Sequence, residues 1–193
     1  MQQARVLVQS TRVECEEPVL VVIGGLPGSG KTTLLRRLLA EPAPGVTGLD
    51  SEFVAEEFGR VAPGLPYRFL RPWVHVVHRW RVLRAVRGGE PVVVLTDPWT
   101  SERWRAAVLR SAVRAGRRLR LVHLDAGPEL AAEGQSARGR VLSERAMRRH
   151  LERSSRAVAA PDALVVDRRG SDRLGLAEIL RTDIHAGSAP AHG

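Results

Sequence analysis

Residues 25–32 restrict this chain more than any other stretch. Gly25-Leu26-Pro27-Gly28-Ser29-Gly30-Lys31-Thr32 fits the spacing G-x-x-x-x-G-K-[ST] at every fixed position. The flanks are those that the spacing needs. Val19 to Ile23 is an unbroken apolar run rich in β-branched residues, which reads as a strand buried on both faces. Leu34, Leu35, Leu38 and Leu39 then recur at helical spacing. A strand, a glycine-rich turn and a helix in that order form a cradle for a polyphosphate. The glycines let the backbone wrap closely with its N–H groups turned inward, and the new helix adds its positive end. Lys31 is the cation for the β- and γ-phosphates, and the Thr32 hydroxyl is a ligand for Mg²⁺. Thr33 completes the nucleotide-binding stretch.

Composition sharpens the assignment. Lysine and arginine together number 30, and Lys31 is the only lysine among them. A chain that otherwise uses arginine throughout keeps a compact ammonium at the one place where a point charge, not a planar fork, is required. A hydrophobic content of 44% and a charged content of 26% are those of a globular domain, and 193 residues suffice for one domain with a sizeable core. No apolar run approaches the roughly 20 residues that span a bilayer, so no membrane association is expected. The N-terminal residues lack the apolar core of a secretory signal. Cys15 is the single cysteine, which excludes an intrachain disulfide and suggests a cytoplasmic protein. The net charge of +9 raises the question of nucleic acid. The arginines are spread over many segments, so nucleic acid is not the favoured partner.

The order of elements follows from periodicity and breakers. Residues 1–17 read as an N-terminal arm or edge strand, 18–182 as one nucleotide-binding domain, and 183–193 as a disordered tail. Within the domain, short strands are expected at 46–49, 91–96, 119–124 and 163–166, each after a helix. A helix is expected over 52–58 and a proline-rich loop over 59–72. A second helix over 73–87 would bury a stripe of Trp73, Val76, Val77, Trp80 and Leu83, and a last helix is expected over 171–181. Five strands alternating with helices imply an open parallel α/β sheet, with ligands bound at the carboxyl ends of the strands.

Acids stand at those strand ends. Asp97 is the candidate for the second acid of the metal site, beside Thr32. Asp50 is placed to orient an acceptor hydroxyl or take its proton, or to cap the next helix, or both. Arg138 and Arg140 lie in a polar, glycine-containing stretch, where a closing arginine can stabilise charge on a moving phosphoryl group. His75 and His78, at i, i+3 on one helix with Arg71 nearby, are candidates for contacts to an anionic acceptor.

In these residues the chain resembles the small AAA-type ATP-binding P-loop kinases, a grouping that includes zeta toxin, chloramphenicol phosphotransferase, gluconate kinase and polynucleotide kinase. The resemblance rests on residues 25–33, on Leu49-Asp50-Ser51, on Val92 to Trp104, and on an arginine lid at 138–140. It implies a three-layer P-loop fold with five parallel strands in the order 2-3-1-4-5. It also implies ATP and Mg²⁺, and transfer of the γ-phosphoryl group to a hydroxyl. Such kinases often carry an arginine soon after the aspartate of the second strand; here the next one is Arg60. The expected activity is phosphorylation of an unidentified small-molecule hydroxyl. The alternatives are a 5′-hydroxyl nucleic-acid kinase and a non-catalytic ATP-dependent switch. No Asn-Lys-x-Asp can exist with Lys31 as the sole lysine, which disfavours a GTPase.

Overall fold

A computed structural model describes residues 17–40, 44–125 and 163–181. Residues 1–16 of the expected arm, the arginine segment with Arg138 and Arg140, and the expected tail over 183–193 lie outside the described residues.

Strand β1 (Val19–Gly25) is buried along its whole length and forms the centre of the sheet. It is followed by α1 (Lys31–Leu38), β2 (Val46–Leu49), α2 (Ser51–Val61), α3 (Tyr67–Arg87) and β3 (Val92–Thr96). Then come α4 (Glu102–Arg114), β4 (Arg118–Asp125), β5 (Ala163–Asp167), α5 (Arg168–Arg173) and α6 (Leu176–Arg181). The sheet order is β2-β3-β1-β4-β5 and every pairing is parallel, as the resemblance implies. Alternation along the strands splits the core in two. Val19, Val21 and Ile23 face Leu34, Leu35 and Leu38 of α1, with Leu174 and Ile179. Leu20 and Val22 face Val82 and Val86 of α3, and Val108 and Ala112 of α4. Each fully buried Leu, Ile or Val of this kind contributes about 1.5–3 kcal/mol, which explains why strands without any polar alternation are stable only between two helical layers.

Three expectations are corrected. The stretch 59–72 is mostly helical, because α2 runs on to Val61 and α3 begins at Tyr67. Pro72 lies inside α3 near its start, on an exposed surface, where water can take over the one carbonyl that loses its partner. Leu70 and Val74, on either side of it, are buried against Val54 of α2 and hold the turn in place. The second correction is the buried face of α3. It is Leu70, Val74, His78, Val82 and Val86, a strict four-residue repeat. Trp73, Val76 and Trp80 are instead 63%, 60% and 57% exposed. The third is the last helix, which is two short ones separated by Leu174 and Gly175. There the Arg37 guanidinium gathers the carbonyls of Ser171, Asp172 and Leu174 at the end of α5.

At the opposite end of the sheet from the glycine-rich turn, Arg117 is buried against the C-terminus of α3. Its Nε donates to the Val86 carbonyl at 2.6 Å, and its terminal nitrogens donate to Gly88 at 2.9 Å and Ala85 at 3.3 Å. A cation on these orphan carbonyls both satisfies them and meets the negative end of the helix. Arg117→Ala should therefore lower stability by about 2–3 kcal/mol. Urea melts should show a lower midpoint at an unchanged slope. An unshifted midpoint would mean that water replaces the guanidinium at no cost.

Candidate active site

The loop between β1 and α1 closes on itself in the manner of a phosphate cradle. Gly25 has φ +136°, and a Cβ there would lie 2.7 Å from the Leu124 carbonyl oxygen and 2.9 Å from Ser29 Oγ. No side chain fits, so the loop can follow the β4 backbone only with glycine at this position. Gly30 takes a left-handed conformation, φ 95°, to launch α1. Lys31 Nζ donates to the carbonyls of Gly25 at 3.0 Å and Leu26 at 2.7 Å, so its ammonium lies across the mouth of the loop. Ser29 Oγ is buried and has no hydrogen-bond partner among the described residues. A buried hydroxyl without a partner is costly. Here it lies within a glycine cradle at the head of a helix, beside a cation. This donor set fits a polyphosphate.

Asp50 joins the loop to the end of β2. One carboxylate oxygen accepts from the Glu52 N–H at 2.7 Å and caps α2; the other accepts from Thr32 Oγ1 at 2.8 Å. Asp50 is buried, 5% exposed. The pairing with Thr32 that the sequence suggested for Asp97 is thus made by Asp50. The Thr32 hydroxyl gives its proton to that carboxylate and keeps its lone pairs for a cation, so the residues present suit Mg²⁺ at this hydroxyl.

Asp97 follows β3 and is held by two donors, the Trp99 N–H at 2.6 Å and Trp104 Nε1–H at 3.0 Å. Burial pushes its carboxyl above the usual range, opposed by those hydrogen bonds and by the charges of Lys31 and Arg79. The Lys31 charge ties it electrostatically to the phosphate loop. Trp99 takes φ 58°, the only non-glycine residue in that region among those described. The strain, of order 1–2 kcal/mol, is set against the nearly complete burial of its indole, 3% exposed.

A cleft of about 410 Å³ opens beside Thr32 and Thr33, walled by Arg36, Glu52, Ala55, Glu56 and Tyr67. Arg36 pairs with Glu56 across it and lies over the Phe53 ring. Glu52, Ala55 and Glu56 share one face of α2 at i, i+3, i+4 spacing, the signal by which sequence reading could have found them. Tyr67, the first residue of α3, reaches this cleft. Arg60 is an exposed residue in the last turn of α2, close enough to act on the Glu57 charge. Arg71 and His75 are exposed on α3.

His78 is 4% exposed and its Nδ1 has no partner among the described residues. Burial, outweighing the nearby Asp50 charge, lowers its pKa from 6.5 to about 4. His78 therefore folds neutral. Unfolded chains bind its proton more readily between pH 6.5 and 4, so stability is complete above pH 6.5 and is lost as pH falls towards 4. The loss is of the order of 3 kcal/mol. Urea melts at both ends of that window should show His78→Leu losing less stability on acidification than the native chain. Equal losses would place the proton elsewhere.

A family model described as an AAA domain matches residues 20–161. Among solved structures, the chain is similar to a gluconokinase from Sinorhizobium meliloti 1021, at 19% identity over 84% of this chain and 90% of that one, TM-score 0.53. It is also similar to a putative kinase from Chloroflexus aurantiacus, at 15% identity over 86% and 96%, TM-score 0.58. A third similar structure is the tunicamycin resistance protein of Deinococcus radiodurans, at 16% identity over 90% and 99%, TM-score 0.54. Identities this low show a shared fold. No curated protein matches the sequence. Among the described residues no helix is long and apolar enough to cross a membrane.

Proposed function

Since the chain belongs to the AAA-domain family, we propose that it is an ATP- and Mg²⁺-dependent phosphotransferase acting on a hydroxyl of a small-molecule acceptor. The observation that carries this reading is the 2.8 Å bond between Thr32 Oγ1 and Asp50 Oδ2. It brings the hydroxyl of the phosphate loop and the carboxylate at the next strand end together, beside a cleft large enough for an acceptor. Residues 25–33 bind ATP. Thr32, with the Asp50 carboxylate on its hydroxyl, would hold Mg²⁺ and its water shell, a cation that when bound spreads the phosphate charge. Lys31 meets the β- and γ-phosphates. The acceptor oxygen attacks the γ-phosphorus, the bond to the β-bridging oxygen breaks, and ADP leaves. Asp50 positions the acceptor hydroxyl and takes its proton. Arg138 or Arg140 supplies positive charge to the moving group, and the cleft residues Arg36, Glu52 and Tyr67 serve acceptor binding.

The test is incubation with γ-labelled ATP, Mg²⁺ and pools of hydroxylated metabolites, nucleosides and 5′-hydroxyl oligonucleotides. Label in a phosphoester of a small molecule supports the reading. ATP bound without transfer to any pool member overturns it in favour of a switch, and label on oligonucleotides alone reassigns the acceptor.

A further inference from the structure

The outward face of α3 is aromatic and basic at once. Phe69, Trp73, Val76 and Trp80 recur at i, i+4, i+7, i+11 and are each more than half exposed. Such a stripe on a helix is a binding surface until something covers it. Its charge narrows the partner. The helix carries six arginines and no acidic residue. Arg68 lies over the Phe69 ring at 4.8 Å and Arg84 over the Trp80 ring at 5.3 Å. Of the acids of neighbouring α2, Glu56 is engaged by Arg36 and Glu57 by Arg81 at 2.6 Å. A second copy packed face to face would set arginine helices against each other, with no acid on either to answer them. The complement is an anion that also brings flat apolar groups.

We infer that this face binds single-stranded nucleic acid, its bases stacking on Phe69, Trp73 and Trp80 while Arg68, Arg84 and Arg87 meet the phosphates. The three rings spread over roughly 16 Å of helix, room for a few nucleotides. Each guanidinium covers one face of a ring and leaves the other for a base, and reaches outward to the backbone. The face is separate from the ATP loop, and its occupancy does not depend on the activity proposed above.

The experiment is fluorescence anisotropy with a labelled oligouridylate of about twelve nucleotides, titrated at several salt concentrations. Single-strand binding should weaken steeply as salt rises, with a slope of about −0.7 in log K per phosphate neutralised. Trp73→Ala and Trp80→Ala should each weaken it roughly tenfold. The double Phe variant, which keeps two stacking rings, should retain most of it. Trp99 and Trp104 are buried, so quenching of tryptophan emission on binding should disappear in that double Phe variant. Lys31→Ala should bind the strand normally, which separates this result from any failure of the nucleotide site. Undiminished binding in the double Ala variant, or no salt-sensitive binding by the native chain, overturns the inference. So does a concentration-dependent dimer in sedimentation that the double Ala variant abolishes, since that would assign the face to a second copy.

Discussion

Lys31→Ala should weaken Mg-ATP binding by at least about thirtyfold while leaving the fold intact. The ammonium is the only lysine charge in the chain and lies on the Gly25 and Leu26 carbonyls, at the mouth of the loop. When a polyphosphate enters, those carbonyl contacts are exchanged for contacts to phosphate oxygens. Removing one partner of a close charge pair costs about 2–5 kcal/mol, a factor of thirty to several thousand. The folded chain loses far less. Lys31 is partly exposed and at the head of α1, away from the packed leucines of that helix. Calorimetric titration of both proteins reads the effect, and thermal unfolding serves as the control. Equal affinity in the variant would mean that ATP, if it binds, uses another surface. Lys31→Arg should not restore binding, because the planar fork is too broad for a site closed around a point charge.

Asp50→Asn should reduce phosphoryl transfer by about 10²–10³-fold and leave ATP bound within a few-fold of normal. The substitution is informative because asparagine caps helices as well as aspartate does. The bond to the Glu52 N–H can persist and α2 keeps its start. What asparagine cannot do is accept a proton from the acceptor, or accept from both Glu52 N–H and Thr32 Oγ1 through two carboxylate oxygens. Rapid-mixing transfer assays at saturating ATP separate the two steps. Full transfer activity in the variant would remove Asp50 from the chemistry and leave it a cap.

The fold was legible wherever one local signal sufficed. The apolar run of β1, the glycine spacing and the leucines of α1 name their own neighbours, and β2 is bounded as read. The acids at strand ends followed from the α/β rule. The site itself was read less well, because its pairings are long-range. Nothing local says that Thr32 meets Asp50 across 18 residues of sequence, or that Asp97 spends its oxygens on Trp99 and Trp104. Helix α3 shows the other failure. Apolar periodicity marked Trp73, Val76 and Trp80 as core, and a helix face of tryptophans is ordinarily that. The buried face instead contains His78, a polar residue that breaks the pattern and hides the repeat of Leu70, Val74, Val82 and Val86. Prolines at 63, 66 and 72 suggested a long loop; packing of Leu70 and Val74 against Val54 outweighs the local preference.

The central claim is that the γ-phosphoryl group passes to an acceptor hydroxyl and not to water. The most direct measurement is a single-turnover quench experiment with labelled ATP pre-bound to excess protein, Mg²⁺ present, and the acceptor pool added at time zero. The account predicts that label leaves ATP at the rate at which a phosphoester of an acceptor appears, with little inorganic phosphate. Label appearing only as inorganic phosphate, in amounts equal to the ATP lost and regardless of acceptor, would contradict it.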